Sequence, residues 1–131
     1  MIAHRGLMRH AMENTIVAKH CLLTESFAFD QNDACSRRLK QHNRAFRIGQ
    51  NVGRQDLEAR LAADDLDVFL LTFLPTVEEV SRLHEKKKTV ILNVSVSRQD
   101  PTAWDRIRQS GVDGFVTDFP LECRLHWRTR Q

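Results

Sequence analysis

The sequence predicts an α/β fold, a mostly parallel sheet of about six strands with a helix between each strand and the next. Three observations predict it. Short β-branched or aromatic runs recur along the chain, separated by polar stretches whose apolar residues fall at helical spacing. One of these runs, DVFLLTF over 67–73, is nearly continuous in apolar residues, as suits a strand buried on both faces. The stretches between the runs are the length of crossover helices, not hairpin turns.

Residues 1–4 (MIAH) form the first candidate strand, and 13–24 place Ile16, Val17, His20 and Cys21 at helical spacing. SFAFD (26–30) reads as the second strand and CSRRLKQHN (35–43) as a helix, followed by a strand at AFRIGQNV (45–52). RQDLEARLAADD (54–65) is a helix with Leu57, Leu61 and Ala62 on one stripe. After the strand at 67–73, Pro75-Thr76 opens a helix with Val77, Val80, Ser81 and His84 along one side. TVILNVSVS (89–97) is the next strand. Asp100-Pro101 begins a helix carrying Trp104, Ile107 and Arg108, which stops at Gly111, a residue suited to the left-handed conformation. The last strand is 114–118. Trp104, Phe69, Phe73 and Phe115 are the expected core aromatics, whereas Trp127, in the basic tail RLHWRTR (124–130), is expected to touch a neighbouring subunit.

At 131 residues the chain is expected to be a single domain, residues 1–131. Its 41% hydrophobic and 28% charged composition is that of a globular protein, and no apolar run of about 18 residues exists to span a membrane. MIAHR at the start does not read as a secretory signal. The net charge of +3 is spread over separate runs, among them Lys86-Lys87-Lys88, without the aromatic interleaving of a nucleic-acid surface. Cys21, Cys35 and Cys123 are odd in number and lack metal-ligand spacing, which points to reduced thiols in a cytoplasmic protein. Six strands are too few to close an eight-stranded barrel. An open parallel edge needs a cover, so a homo-oligomer is expected.

The chemistry is concentrated at the two ends. His4-Arg5-Gly6 closes the first strand and Glu13-Asn14-Thr15 opens the first helix. A histidine at the carboxyl end of a parallel strand stands where barrel active sites are built, with a pKa suited to proton transfer. The neighbouring arginine offers forked donors for a phosphoryl oxygen. A histidine–arginine pair by itself is a weak signal and reads first as structural.

The whole stretch from Ile2 to Gly6 with Glu13-Asn14-Thr15 resembles the opening of glycerophosphodiester phosphodiesterases. Gly111 to Pro120, ending Thr117-Asp118-Phe119-Pro120, is similar to the family's final strand and its Thr-Asp-aromatic-Pro close. Residues 1–33 match the family's start and about 38–123 its late barrel, the clearest likeness lying in 1–30 and 111–121. The resemblance implies a partial or shortened (β/α) barrel of the TIM type. It implies metal-assisted hydrolysis of a glycerophosphodiester to an alcohol and glycerol 3-phosphate. His4 would be one of two acid/base histidines and Arg5 would hold the phosphate. Glu13, Asn14 and Asp118 would contact the substrate, and Asp30 with Glu13 would bind a divalent metal, calcium or magnesium.

The sequence departs from that pattern in several places. The family's Glu-x-Asp metal pair is matched by Ala28 and Asp30, so the glutamate is replaced by alanine. The His-Asp motif that supplies the second histidine is absent, two central βα units are missing, and Met12 stands where the family has proline. Activity is therefore expected to be impaired. The alternative is a non-catalytic phosphate-binding or interaction module. His10, in the loop after the first strand, could swing toward the site. His20 and His84 are expected to be structural, and His42 and His126 sit among basic residues. Asn51 and Asn93 could line the pocket or simply be satisfied hydrogen-bonding residues.

Overall fold

The computed structural model describes residues 27–94 and 101–129. The expected strand at 1–4 and the helix at 13–24 lie outside the described residues. β1 (Ala28–Phe29) leads into α1 (Asp33–His42) through Asn32, whose side chain accepts hydrogen bonds from the Ala34 and Cys35 N–H groups. Those donors have no partner inside the helix, so an asparagine cap starts α1 two residues before the expected boundary.

β2 (Ile48–Val52) is followed by a 3₁₀ turn (Arg54–Asp56) and the short α2 (Leu57–Ala63). The single helix expected over 54–65 is thus trimmed at both ends. Asp64 adopts a left-handed conformation (φ 53°) that stops it, and its carboxylate pairs with Lys88. Leu57 and Leu61 are buried as expected, and Ala62 is exposed.

β3 (Val68–Leu71) is buried at all four positions, as its unbroken apolar run requires. α3 (Val77–Glu85) starts with a capping box, in which the Thr76 hydroxyl accepts from the Glu79 N–H and the Glu79 carboxylate accepts from the Thr76 N–H. Its buried stripe is Val80 and Leu83; the expected stripe began at Val77, which is 57% exposed.

β4 (Thr89–Leu92) precedes α4 (Pro101–Gln109), and Gly111 ends that unit at φ 81°, where a side chain would be strained. β5 (Gly114–Phe115) is short. It leads into α5 (Pro120–Arg128), a helix that the sequence reading treated as a basic tail. Trp127 lies on this helix. Its ring meets Phe115 of its own chain edge-on, with centroids 5.6 Å apart, and packs against the core. His126 meets Trp104 in the same way and bonds the Asp105 carboxylate at 3.0 Å, fastening α5 to α4.

The strands are all parallel and their spatial order is their chain order, β1-β2-β3-β4-β5. With no reversal of order, right-handed crossovers all fall on one face, which is barrel winding and not the doubly wound arrangement. The two faces of the sheet differ accordingly. Ile48, Val52, Phe69, Leu71, Val90 and Leu92 face the helices in the main core. Val68, Leu70 and Ile91 form a separate cluster on the other face, the face a barrel turns inward, with Phe27 and Val116 against it. Gly49 makes room there: a Cβ on it would lie 2.5 Å from the Phe27 ring.

Candidate functional site

In a (β/α) barrel, chemistry gathers where the strands end at their carboxyl termini. β1 ends into Asp30 and Gln31. The Asp30 Oδ1 accepts the Asn32 N–H at 2.8 Å, so this carboxylate helps turn the chain into α1. Ala28, the expected site of a vanished metal ligand, packs against the helix-side core, whereas Phe27 lies on the inward face. The strand's alternation therefore aims Ala28 toward the helices, and Asp30, whose N–H still bonds the Gly49 carbonyl at 3.4 Å, shares that side, so its carboxylate can serve the mouth only from beyond the strand's end.

Gln31 does what a further residue of β1 would have done. Its Oε1 accepts the Asn51 N–H at 2.6 Å and its Nε2 faces the Asn51 carbonyl at 3.5 Å. A primary amide carries the same donor and acceptor as a peptide group, so the side chain adds a rung to β2 after the strand itself has turned away.

Asn51 and Asn93 are brought together. The Asn93 Nδ2 donates to the Asn51 Oδ1 at 2.7 Å, although β3 runs between their strands. Strands two apart are separated by roughly 10 Å, so the bond forms only because both side chains leave the same face and converge over it. Both residues are half-buried. Beyond β5, the Thr117 hydroxyl accepts the Phe119 N–H at 3.0 Å at the start of α5, and Asp118 is exposed in the bend between them.

The rim outside this mouth is tied by Arg54. Its guanidinium stacks 4.3 Å from the Phe73 ring centroid, donates to the Leu74 carbonyl at 3.0 Å and pairs with Glu79. On the helix side, Arg60 Nη2 bonds Asp33 at 2.9 Å, and the buried Gln50 donates to the same oxygen at 3.0 Å. These two hydrogen bonds, the arginine's first, hold the Asp33 carboxyl below the usual aspartate range. Burial, with the Asp105 charge, pushes the Cys123 thiol up, which makes it a packing residue and not a nucleophile.

His4, Arg5, Glu13 and Asn14 lie outside the described residues, as do His10 and His20. His84 bonds Asp113 at 3.0 Å at the opposite, amino end of the sheet, and His42 is exposed at the end of α1. Among the described residues, no group of three or more His, Cys, Asp or Glu side chains is placed to share a metal ion. Asp30 and Asp118 are the charged oxygens near the strand ends, and the amide oxygens of Gln31 and Asn51 already accept hydrogen bonds. That set falls short of what a hard cation takes, about six oxygens, so a calcium or magnesium site would have to draw on Glu13. The sequence reading missed Gln31. Its signal is an amide two residues past a strand's last residue.

No described helix is long and apolar enough to cross a membrane. No protein-family model matches the chain, and no curated protein does either. Among solved structures, the fold is similar to a Silicibacter pomeroyi DSS-3 protein assigned as a glycerophosphoryl diester phosphodiesterase. The TM-score is 0.70 at 17% identity, over 89% of this chain and 42% of that one. The chain thus spans less than half the length of that protein. At this identity the likeness establishes the fold, a segment of a TIM-type barrel.

Proposed function

We propose that this chain is a glycerophosphodiester phosphodiesterase-like protein. In this reading it binds a glycerophosphodiester at the carboxyl end of its sheet and hydrolyses it, at an impaired rate, to an alcohol and glycerol 3-phosphate. What supports the reading most is that two independent likenesses coincide. The fold overlays a protein assigned to that activity, and the terminal motifs of the sequence, His4-Arg5 with Glu13-Asn14-Thr15 and Thr117-Asp118-Phe119-Pro120, resemble the same family's.

Arg5 neutralises the phosphoryl oxygens and His4 moves the proton, with Glu13, Asn14 and Asp118 around the substrate. A divalent metal, calcium or magnesium, is part of the proposal, with Asp30 and Glu13 as its carboxylates; when bound it would offset phosphate charge. Without the second histidine the departing alkoxide must take its proton from water, and losing such a group costs about 10²–10⁴-fold in rate. The reading also includes self-association to cover the sheet edges and a cytoplasmic setting for the free thiols Cys35 and Cys123. Nucleic acid is not among the proposed partners.

The second reading is a phosphate-binding module without catalysis. It is favoured by Asp30, whose carboxylate serves the Asn32 N–H, and by the neutral amides that stand at the mouth. The test is release of glycerol 3-phosphate from glycerophosphocholine with calcium or magnesium, in the wild type and in His4→Ala. Release that disappears in the variant and with chelator supports the hydrolase. No release by the wild type with either metal, alongside measurable binding of glycerol 3-phosphate, leaves the binding module.

A further inference from the structure

We infer that the Asn51–Asn93 carboxamide pair is a hydroxyl-reading subsite, which takes the glycerol end of the ligand. The inference rests on the reading above that the mouth receives a glycerophosphodiester, and it adds which residues tell glycerol from any other alcohol.

Two carboxamides carry four N–H donors and two carbonyl oxygens. The bond between them, 2.7 Å from Asn93 Nδ2 to Asn51 Oδ1, uses one donor and one oxygen. Among the described residues nothing bonds the Asn51 Nδ2 or the Asn93 Oδ1. If both amides were turned over, the bond would run the other way and the roles would exchange. In either assignment the pair leaves one NH2 group and one carbonyl oxygen without a partner among the described residues.

A hydroxyl donates one hydrogen bond and accepts others, so adjacent hydroxyls on a short carbon chain match such a pair. An anion would use only the donors and a cation only the acceptor. The surroundings agree with a small polyol. Below the pair lie Val68, Leu70 and Ile91, an apolar floor against which a ligand's C–H surface can rest. Valine or leucine at 51 and 93 would have extended that floor and left no hydrogen-bonding capacity unfilled. Asn51 is also held from behind, since Gln31 takes its backbone N–H at 2.6 Å. The subsite is therefore oriented before any ligand arrives.

The test uses the full chain and three ligands: glycerol 3-phosphate, ethyl phosphate and inorganic phosphate, followed by calorimetry and by the side-chain NH2 signals of Asn51 and Asn93. Glycerol 3-phosphate is expected to bind about 5- to 20-fold more tightly than ethyl phosphate, as one or two hydrogen bonds would give. It should shift both NH2 signals, and inorganic phosphate should not. Asn51→Ala and Asn93→Ala should each lose the preference while keeping the ethyl phosphate affinity. The NH2 signals need no variant, so the test survives a substitution that fails to fold. Equal affinity for glycerol 3-phosphate and ethyl phosphate, with both NH2 signals unmoved, overturns the subsite and leaves the phosphate-binding proposal standing. Binding of none of the three ligands overturns both.

Discussion

The two ends of the sheet are built from different chemistry. At the amino end, two aspartates make the same clamp twice. Asp67, just before β3, donates its N–H to the Ile48 carbonyl at 2.9 Å while its Oδ2 accepts the Ile48 N–H at 2.8 Å. Asp113, just before β5, treats Val90 identically, at 2.9 and 2.7 Å. Each carboxylate also takes a basic side chain from the second helix back along the chain, Lys40 of α1 at 2.6 Å or His84 of α3 at 3.0 Å. One aspartate thus fixes where a strand starts, its register with the neighbouring strand and the end of a helix. At the carboxyl end Asn51 and Asn93 are neutral amides joined by a single side-chain bond across β3, and among the described residues the Asn51 Nδ2 and the Asn93 Oδ1 have no partner. The first end is tied by charged side chains, whereas the second, among the described residues, keeps hydrogen-bonding capacity of the kind the proposed subsite needs. That division matches barrel folds in general, where the amino face serves stability and the carboxyl face serves function.

Breaking the clamps should have the largest effect. Asp113→Ala and Asp67→Ala each strand a part-buried strand N–H, which costs about 1–3 kcal/mol, and the two should add because they sit in separate βα units. The measurement is the urea midpoint of each variant and of the double variant. Binding of glycerol 3-phosphate per folded molecule should stay as in the wild type. A clamp variant that keeps its stability and loses binding would reverse the assignment of the two ends.

Gly49→Ala probes the inward face between them. The new Cβ would lie 2.5 Å from one Phe27 ring carbon and 3.1 Å from Leu70 Cδ1, so the ring must move. Overpacking of this kind costs about 1–3 kcal/mol. Because the floor beneath Asn51 shifts as well, glycerol 3-phosphate binding should weaken together with stability. Unchanged stability would mean that Phe27 is free to leave the cluster.

How much of this was legible in the sequence depends on how local each signal is. β3 could be read because four successive apolar residues have no other use, and Gly111 because a helix end selects for it. α5 was missed because its burial is carried by Cys123, His126 and Trp127, while its two leucines, Leu121 and Leu125, are 70% and 60% exposed. Its apolar pattern therefore points the wrong way. The aspartate clamps have a visible spelling, an acid between the last loop residue and the strand in Leu66-Asp67-Val68 and Val112-Asp113-Gly114. What that aspartate bonds depends on register, which a single sequence does not display. Asn51 and Asn93 were legible as inward residues, but their meeting across β3 follows only from the convergence of that face. Ala28 was read as standing where the family has a metal-binding glutamate; the structure adds that it packs against the helix-side core.

The next prediction separates the ends by stability alone. Asn51→Ala and Asn93→Ala remove one side-chain bond between half-buried amides, so each should change stability by no more than about 1 kcal/mol. A loss as large as that of a clamp variant would make the pair part of the scaffold and weaken the case for a ligand subsite.

The smallest effect should appear in acid. Asp33 is held by Arg60 and Gln50, and its carboxyl is lowered from the ordinary value by those hydrogen bonds, the arginine's first. The unfolded chain therefore takes up the proton at higher pH than the folded one. The stabilisation from this group is fully present above the ordinary aspartate range, about pH 3.9, and is lost as the pH falls through the lower folded value. The side chain is 42% exposed, so solvent screens much of the interaction and the contribution is small. Asp33→Asn should be less stable than the wild type near neutrality, and the gap should narrow as the pH drops toward about 3. Urea midpoints across that range decide the matter. A gap that is constant with pH would mean that the arginine bonds the neutral amide as well as the carboxylate, and that the pair holds α1 to α2 by hydrogen bonding and not by charge.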